Sequence, residues 1–456
     1  MSASPLLWAG DLEAPLAWRH GQPISRRQYL ADVEALSARL PETGAMLNLS
    51  GDRYRFAVGL GAALLRGQRS LLPPNFTPDM IERLSALFPG TYVLTDHVAG
   101  STGLHTVWHA EAHAPIPAAQ AVPEVDDAAI AVQVLTSGST GAPVPHPKAW
   151  HYLRIGVEAE AQRLAEQMGL PSFTGVTLVA TVPAQHMYGF ESSVLLSLLA
   201  GATIDTERPF YPADIAAALA RAPRPRMLVT TPFHLKSLVE SGVELPAIDL
   251  TLCATAPLSP QLAARAEAAL AAPLMEIYGS TETGQVATRR TVQGAEWTTF
   301  SGVHLTGDAE AAVAQGGHVP QPTTLADVLE VLSPTSFRLL GRSNDLINIA
   351  GKRSSLGHLN YHLNGIEGVR DGAFWLPHDA PDGVVRLVAF VVAPDVSAEE
   401  IHKRVVAEMR LRVDTAFLPR RVVQVPELPR VQGTGKLPTG AFAAWAEQAL
   451  AAASRR

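Results

Sequence analysis

The sequence LTSGSTG at residues 135–141 follows directly on an apolar run at residues 128–135. The run predicts a buried β-strand, and the glycines and hydroxyl residues after it predict a loop at the end of that strand. Glycine lets backbone amides approach an anion, and hydroxyl side chains donate hydrogen bonds to phosphate oxygens. The loop therefore suits a polyphosphate, although an ordinary Gly/Ser turn has the same composition. The hydroxyl donors are Thr136, Ser137, Ser139 and Thr140.

Short β-rich runs alternate with helical patterns on both sides of this loop and continue almost to Arg342. The alternation predicts an α/β fold, in which helices cover large sheets rich in parallel strands. Ligands of such folds bind at the carboxyl ends of the strands, which is where Thr136 begins its loop. The further predicted strands are 176–182, 227–231 and 248–254, and the predicted helices are 150–168, 212–221, 233–240 and 260–271.

The pattern changes after Arg342. The new pattern predicts a strand at 384–393, then a helix, and then a strand at 421–425. Ser397 and Glu400 form a capping box at the N-terminus of that helix. We therefore predict a large N-terminal domain at residues 1–342 and a small α+β C-terminal domain at residues 343–456. Residues 307–324 are rich in Gly, Ala, Gln and Pro and are interpreted as an irregular connection.

The composition excludes several classes of function. Of the 456 residues, 47% are hydrophobic, which is enough for two or more cores. A net charge of −7 gives no general attraction to nucleic acid or to an anionic membrane. The single cysteine, Cys253, excludes an internal disulfide, and apolar runs such as 194–200 are too short to span a membrane. Because the N-terminus shows no basic, apolar leader, we expect a cytoplasmic protein.

A second stretch with candidate functional side chains, IYGSTETG, occupies residues 277–284. It places the ring of Tyr278, the hydroxyl of Thr281 and the carboxylate of Glu282 close together in the chain. A ring can stack on a purine, a hydroxyl can contact a phosphate, and a carboxylate is a hard oxygen ligand for Mg²⁺. An exposed turn after a strand is the alternative interpretation.

Two further features lie downstream. Asp327 is followed fifteen positions later by Arg342, and the pair can serve a ribose and a phosphate or form a surface ion pair. Near the C-terminus, the sequence GTGKL at residues 433–437 presents Lys436 on a flexible loop, where most lysines are only solvated.

The combination and its order resemble the adenylate-forming superfamily, which contains acyl-CoA synthetases, peptide-synthetase adenylation domains and luciferases. The resemblance extends over roughly residues 45–445. Residues 186–190 (HMYGF) are also similar to the superfamily's acyl-pocket segment, and residues 254–258 (ATAPL) to its adenine-contacting turn.

The resemblance implies ATP and Mg²⁺ as the cofactors and a role for each matching residue. Thr136, Ser137, Gly138, Ser139, Thr140 and Gly141 would hold the β- and γ-phosphates, and Ala256, Pro257, Tyr278 and Gly279 would contact adenine. Thr281 would contact the α-phosphate, Glu282 would bind Mg²⁺, and Asp327, with Arg342 beside it, would bind the ribose hydroxyls. Lys436 would bridge the acid and the α-phosphate, and His186 would act at the acyl pocket.

The chain also departs from the usual pattern of the superfamily, and two departures lie beside the matching motifs. The spacer PVPHP at residues 143–147 separates Lys148 from the phosphate loop, so its role as a phosphate ligand is open. Asn344 replaces the aspartate that usually forms the hinge before the mobile small domain.

The resemblance implies that the protein activates a carboxylic acid to an acyl-adenylate and transfers the acyl group to CoA or to an acyl carrier protein. The stretches TGAPVPHPK at residues 140–148 and NIAGKRSSL at residues 348–356 resemble the stand-alone ligases of aryl-polyene and xanthomonadin pigment clusters, and this resemblance implies an aryl, hydroxybenzoate-like acid. The alternatives are a medium- or long-chain fatty acid ligase, a non-catalytic acyl- or nucleotide-binding protein, and an enzyme whose acyl acceptor is not a thiol.

Other histidines have open interpretations. His234 either lines the acyl pocket or caps a helix. His105, His109 and His113 are spaced four apart as metal ligands on a helix face would be, but they lack the zincin order.

Overall fold

The computed structural model describes most of the chain. The described residues are 2–73, 75–97, 102–117, 120–137, 143–307, 311–342, 346–349, 352–377, 386–431, 437 and 439–453. Gly138, Ser139, Thr140 and Gly141 of the predicted phosphate loop, the predicted hinge residue Asn344 and the predicted catalytic Lys436 lie outside these ranges.

The strands are numbered in chain order. They are β1 (Ala3–Pro5), β2 (Pro15–Arg19), β3 (Gln22–Ser25), β4 (Met46–Asn48), β5 (Ser70–Leu72), β6 (Tyr92–Thr95), β7 (Thr106–Trp108), β8 (Glu124–Asp126), β9 (Ile130–Ser137), β10 (Pro143–Ala149), β11 (Thr177–Ala180), β12 (Thr203–Asp205), β13 (Arg226–Thr230), β14 (Leu250–Cys253), β15 (Leu274–Ser280), β16 (Gly284–Arg289), β17 (Glu296–Thr299), β18 (His304–Thr306), β19 (Val313–Gly316), β20 (Val319–Thr324), β21 (Asp327–Ser333), β22 (Ser336–Arg342), β23 (Leu346–Ile349), β24 (Lys352–Ser355), β25 (Asp371–Trp375), β26 (Val388–Val392) and β27 (Arg421–Gln424).

The helices are numbered in the same way. They are α1 (Arg26–Ser37), α2 (Arg53–Leu65), α3 (Pro78–Leu87), α4 (Trp150–Met168), α5 (Met187–Gly189), α6 (Leu196–Leu199), α7 (Pro212–Arg221), α8 (Pro232–Glu240), α9 (Pro260–Leu270), α10 (Leu356–Leu363), α11 (Ala398–Arg410) and α12 (Thr439–Ala453), with a π-helix at Phe190–Leu195 between α5 and α6.

Two large sheets carry the predicted site residues. One has the strand order β10-β9-β5-β4-β6-β7 and is parallel except for the edge strand β10. The other has the order β21-β22-β17-β16-β15-β14-β13-β11-β12-β2-β3. Its strands from β15 to β2 run parallel, and antiparallel strands extend it at both ends. The predicted α/β fold with parallel-rich sheets is confirmed.

Burial explains why these central strands are uniformly apolar. Every residue of β11, β13 and β14 is buried, because helices cover both faces of the parallel part of the sheet. The predicted helices 150–168 and 212–221 coincide with α4 and α7, whereas the predicted strands differ from the observed ones by a few residues at their ends. Strand β9 continues to Ser137, so Thr136 belongs to the strand rather than to the loop.

The prediction of an irregular connection at residues 307–324 was wrong. Strands β18, β19 and β20 form a small antiparallel sheet within and beside this segment. Gly316 and Gly317 have φ values of 82° and 55°, and Gly316 pairs with Val319 across the turn. The glycines that suggested irregular chain are the residues that a tight hairpin between β19 and β20 requires.

The C-terminal part contains a separate sheet, β25-β26-β27, covered by α10, α11 and α12. Ser397 caps α11 by accepting a hydrogen bond from the backbone N–H of Glu400, as predicted. The division of the chain at residue 342 stays a prediction. None of the described helices has both the length and the apolar character needed to cross a membrane.

Candidate active site

The β9–β10 hairpin encloses the predicted phosphate loop. Thr136 is opposite Val144, and Ser137 is opposite Pro143, so both strands lead directly into the loop. The Thr136 hydroxyl oxygen lies 3.1 Å from Nε2 of His146, one residue of the spacer that departs from the superfamily pattern. This contact links the first predicted phosphate ligand to the returning strand.

The β15–β16 hairpin carries the Tyr278–Gly284 stretch. Its turn is closed by the hydroxyls of Ser280 and Thr283, whose oxygens are 3.1 Å apart. Gly279 is required here, because a Cβ atom at this position would lie 2.3 Å from the carbonyl oxygen of Gly284. Thr281 and Glu282 are thereby presented at the tip of the turn, with Thr281 half-buried and Glu282 exposed.

The two hairpins meet at Glu282. Nε2 of His146 lies 3.9 Å from the Glu282 carboxylate oxygen Oε1. The Lys148 ammonium donates a 2.8 Å hydrogen bond to the backbone carbonyl of Glu282. Alternate residues of β10 therefore hold the side chain and the main chain of the same predicted metal ligand.

The charges around Glu282 favour its ionised form. Burial acts to raise the pKa of this carboxyl, but hydrogen bonds from its own N–H and from Ser280, with the charges of His146 and Lys148, lower it below its usual value. Burial lowers the pKa of Lys148, against the opposing effect of Glu191 and Glu282. Burial likewise lowers the pKa of His146.

These properties fit a magnesium ion that is held partly by its nucleotide. Among the described residues, no group of three His, Cys, Asp or Glu side chains gathers as a metal site. Mg²⁺ is usually bound by one or two carboxylates, by substrate phosphates and by water. Glu282, ionised and with 49% of its side chain exposed beside the phosphate hairpin, is a suitable single carboxylate.

The predicted adenine and ribose residues also come together. The Tyr278 hydroxyl donates a 2.8 Å hydrogen bond to Oδ2 of Asp327. Asp327 and Arg342 are direct partners in the antiparallel register of β21 and β22. The fifteen-residue spacing between them is thus the length of one hairpin.

Two aromatic residues that sequence reasoning missed support Tyr278. Its ring centroid is 5.8 Å from that of Trp297 and 5.4 Å from that of Phe337, and the last two rings stack on each other. These contacts fix the plane of the Tyr278 ring. Trp297 is an inward position in the alternating burial of β17, but the sequence EWTT of this strand carries no apolar alternation that could have predicted it.

The acyl-pocket and adenine-turn segments occupy the same edge of the eleven-stranded sheet. His186 is exposed just after β11, and Ala256 and Pro257 follow β14, which is parallel to β11 with β13 between them. The hydroxyl of Tyr188 donates a 2.8 Å hydrogen bond to the carbonyl of Leu252 and so ties the acyl-pocket segment to β14, the strand that leads into residues 254–258. Residues from several strand ends therefore converge as they do in other α/β ligand sites.

A buried polar cluster below the Glu282 turn was not predicted. Glu191 lies in the π-helix, Glu160 on α4, and Gln285 on β16, and all three are buried. Burial raises the pKa of Glu160 to about 8 and that of Glu191 to about 7, and Lys148 opposes the second shift. Gln285 donates a 3.1 Å hydrogen bond to Ser192.

His234, His109 and His113 have structural partners. Thr231 caps α8, and its hydroxyl oxygen is 2.9 Å from Nδ1 of His234, which is buried behind it. His109 contacts the Ser50 hydroxyl at 2.9 Å, and His113 contacts Asp32 at 2.6 Å. Strand β7 separates His105 from His109, so the three histidines do not share a helix face.

Comparison with known proteins gives concordant matches in sequence and in fold. The AMP-binding enzyme family matches residues 56–328, a range that includes the phosphate loop, the Tyr278–Glu282 stretch and Asp327. A 4-coumarate–CoA ligase of Rhodobacter capsulatus is 31% identical over 285 residues, which are 62% of this chain and 69% of the relative.

Solved structures share the fold over nearly the whole chain. The o-succinylbenzoate CoA synthetase of Bacillus subtilis, in complex with its acyl-adenylate intermediate, superposes with a TM-score of 0.74 at 18% identity and covers 96% of this chain and 97% of its own. ATP-bound MatB of Rhodopseudomonas palustris gives a TM-score of 0.74 at 17% identity, and the match covers 95% of this chain and 97% of MatB.

Proposed function

The chain belongs to the AMP-binding enzyme family, and we propose that it activates a carboxylic acid with ATP and transfers the acyl group to a thiol. Enzymes of this family use ATP with Mg²⁺. The observation that carries the proposal is the meeting of the two hairpins at Glu282, on the sheet that also holds the Tyr278–Asp327 pair.

Most of the predicted site residues have a proposed role in binding ATP. Asp327 and Arg342 hold the ribose, and Tyr278, with Gly279, Ala256 and Pro257, contacts adenine. The loop from Thr136 to Gly141 holds the β- and γ-phosphates, and Thr281 contacts the α-phosphate. Glu282 would hold Mg²⁺, which supplies positive charge to the phosphate oxygens when bound.

The chemistry needs a second cation, because a carboxylate and a phosphate repel each other. An oxygen of the acid attacks the α-phosphorus of ATP, and the bond to pyrophosphate breaks, which leaves an acyl-adenylate. Lys436 bridges the two anions and offsets their repulsion. The thiol then attacks the acyl carbon, loses its proton, and AMP departs.

An aryl acid is the proposed substrate, with a hydroxybenzoate-like acid as the first candidate. Two observations support it: the similarity of the PVPHP and NIAGKRSSL stretches to pigment-cluster ligases, and the name 4-coumarate–CoA ligase of the relatives. His186 would act at the acyl pocket. The proposed acceptor is an acyl carrier protein or CoA, and a medium- or long-chain fatty acid is the second substrate candidate.

ATP–pyrophosphate exchange tests the first half-reaction. Purified protein is offered aryl acids and fatty acids with Mg²⁺ and ATP, and exchange with at least one aryl acid is expected. Mass spectrometry of products formed with CoA or with a carrier protein then identifies the acceptor. Binding of ATP without exchange for any acid would instead favour a non-catalytic nucleotide-binding protein.

A further inference from the structure

Arg53 is a buried cation that the chemistry described above does not use. It is the first residue of α2, and it is only 1% exposed. Its Nη2 donates hydrogen bonds to the carbonyls of Ala180, at 2.5 Å, and of Val182. Its Nη1 donates a 3.4 Å hydrogen bond to the hydroxyl of Ser193. The guanidinium therefore holds the chain on both sides of the acyl-pocket segment at residues 186–190.

The place of Arg53 follows from the way in which β12 leaves β11. Strand β12 stops pairing with β11 at Leu178, before β11 itself ends at Ala180. The carbonyl of Val176 still accepts a 2.8 Å hydrogen bond from β12. Because alternate residues of a strand direct their carbonyls to the same side, the carbonyls of Ala180 and Val182 face the side that β12 has left. The planar fork of the guanidinium satisfies both of these buried acceptors in place of a strand.

The chain supported in this way starts at a topological switch point. The next two strands in the chain, β12 and β13, pair with opposite sides of β11, and β14 lies beyond β13. The connections therefore leave the carboxyl ends of β11 and β13 in opposite directions. Ligands of parallel sheets bind in the crevice that such a divergence opens. Arg53 supports the chain after β11 from the β12 side, which is opposite this crevice.

Further contacts restrain the backbone around the acyl-pocket segment. In the turn before α2, the carbonyl of Ser50 accepts a 3.1 Å hydrogen bond from Nε2 of Gln185. The hydroxyl of Ser193 donates a hydrogen bond to the carbonyl of Gly189. A Cβ atom at Gly189 would lie 2.1 Å from the carbonyl oxygen of Pro183, so the chain is closely packed here. The start of α2 thus fixes both ends of a tightly folded segment, and π-helical turns such as the one that follows it are frequent at functional sites.

We propose that Arg53 is a positioning residue for the acid, because it holds residues 183–193 in the conformation that borders the crevice. The inference rests on the proposed function, which assigns this crevice to the acid. Arg53 acts through the backbone and not by contact with the acid. A lysine at this position keeps the charge but lacks the fork, so it cannot serve Ala180, Val182 and Ser193 together. The loosened segment must then be ordered when the acid binds, which lowers the affinity for the acid.

The first test compares Arg53→Lys with Arg26→Lys. Arg26 is a matched control, since it is also 1% exposed and its Nη2 also donates to two carbonyls, those of Gly201 and Ala202, outside the segment. Pyrophosphate exchange is measured with an aryl acid varied at saturating Mg²⁺ and ATP, and then with ATP varied. Arg53→Lys should raise the KM for the acid about tenfold, with little change in kcat or in the KM for ATP. Arg26→Lys should leave the KM for the acid near the wild-type value, and equal values in the two variants would overturn the proposal.

Hydrogen–deuterium exchange read by mass spectrometry gives a second measurement that does not depend on activity. Amides of residues 183–193 should exchange on the order of tenfold faster in Arg53→Lys than in the wild type, because local opening of the segment becomes easier. In Arg26→Lys these amides should exchange at the wild-type rate. Unchanged exchange of residues 183–193 in Arg53→Lys would refute the positioning role.

A further variant covers the case in which Arg53→Lys does not fold. Ser193→Ala removes only the contact after the acyl-pocket segment, and it should raise the KM for the acid about threefold. An unchanged KM in this variant would count against the proposal. Wild-type protein that exchanges pyrophosphate with no acid would refute the proposed function, whereas hydrogen exchange would still decide whether Arg53 fixes the segment.

Discussion

The proposed adenosine end and the proposed phosphate end of the site are built in different ways. Tyr278, Asp327 and Arg342 all belong to the eleven-stranded sheet, and the first two are joined by a 2.8 Å hydrogen bond. The phosphate end combines the β9–β10 hairpin of the six-stranded sheet with the β15–β16 turn of the other sheet. Its connections across the two sheets include the side chains of His146 and Lys148.

This difference predicts how a single substitution at each end changes the activity. Backbone pairing within one sheet places the ribose residues, so losing one side chain there leaves the others in place. At the phosphate end, individual side chains determine how the two sheets present their ligands. Substitutions at the phosphate end should therefore affect the rate, whereas those at the adenosine end should affect the affinity for ATP.

The largest effect is expected for Lys436→Ala. In the proposed mechanism, the substitution removes the cation that offsets repulsion between the acid and the α-phosphate. Pyrophosphate exchange should fall about 10²- to 10³-fold, while ATP binding and thermal unfolding stay close to wild type. Unchanged exchange in this variant would make Lys436 a surface residue.

The second-largest effect is expected for Glu282→Gln, because this substitution weakens the binding of Mg²⁺. The amide keeps the shape of the side chain but loses the charge that attracts Mg²⁺. Exchange should fall about tenfold or more, and the Mg²⁺ concentration needed for half-maximal rate should rise. A titration with Mg²⁺ at fixed ATP measures this shift, and a rate that falls with no change in Mg²⁺ dependence would argue against the assignment.

At the adenosine end, Asp327→Asn should raise the KM for ATP about tenfold with little change in kcat, because contacts to the ribose are equal in the ground and transition states. Tyr278→Phe keeps the ring but removes the hydroxyl that binds Asp327, and we expect an increase of only about threefold. Steady-state exchange kinetics separate the two constants. A large fall in kcat for Asp327→Asn would contradict the contrast between the two ends.

The smallest effect on activity is expected for Glu160→Gln, which should instead change stability. Burial raises the pKa of Glu160 to about 8 from its ordinary value of 4.5, so the folded protein binds this proton more tightly than the unfolded chain does. The free energy of unfolding should therefore fall as the pH rises from about 5 to 8. The variant should lose this dependence and exceed wild type at pH 8 by on the order of a few kcal/mol. Thermal unfolding of both proteins at pH 5 and pH 8 measures this difference. The same dependence of stability on pH in the two proteins would refute the prediction.

Sequence reasoning predicted the features that depend on short, local motifs. The strand before Thr136, helices α4 and α7, and the pairing of Asp327 with Arg342 follow from local pattern and spacing. The roles assigned to the site residues stay predictions. Lys436 and residues 138–141 lie outside the described ranges, so their geometry adds nothing to the motifs.

Features that depend on long-range packing were missed. Nothing in the local sequence distinguishes Glu160, on the predicted helix 150–168, or Glu191 from ordinary polar residues, and only the folded chain buries them. The hairpin of β19 and β20 was missed for a different reason, since Gly316 and Gly317 mark both irregular chain and tight turns. Charge and burial can be assigned to such residues only after the tertiary contacts are known.

The spacer PVPHP also shapes the outer edge of the six-stranded sheet. Prolines occupy alternate positions 143, 145 and 147 of β10, the edge strand of its sheet. Residues two apart direct their backbone groups to the same side of an antiparallel strand, and proline is accepted in sheets where that side is open. The open edge therefore presents no row of donors to a strand from another chain. The segment that sets His146 and Lys148 in place thereby also makes this edge a poor partner for a strand of another chain.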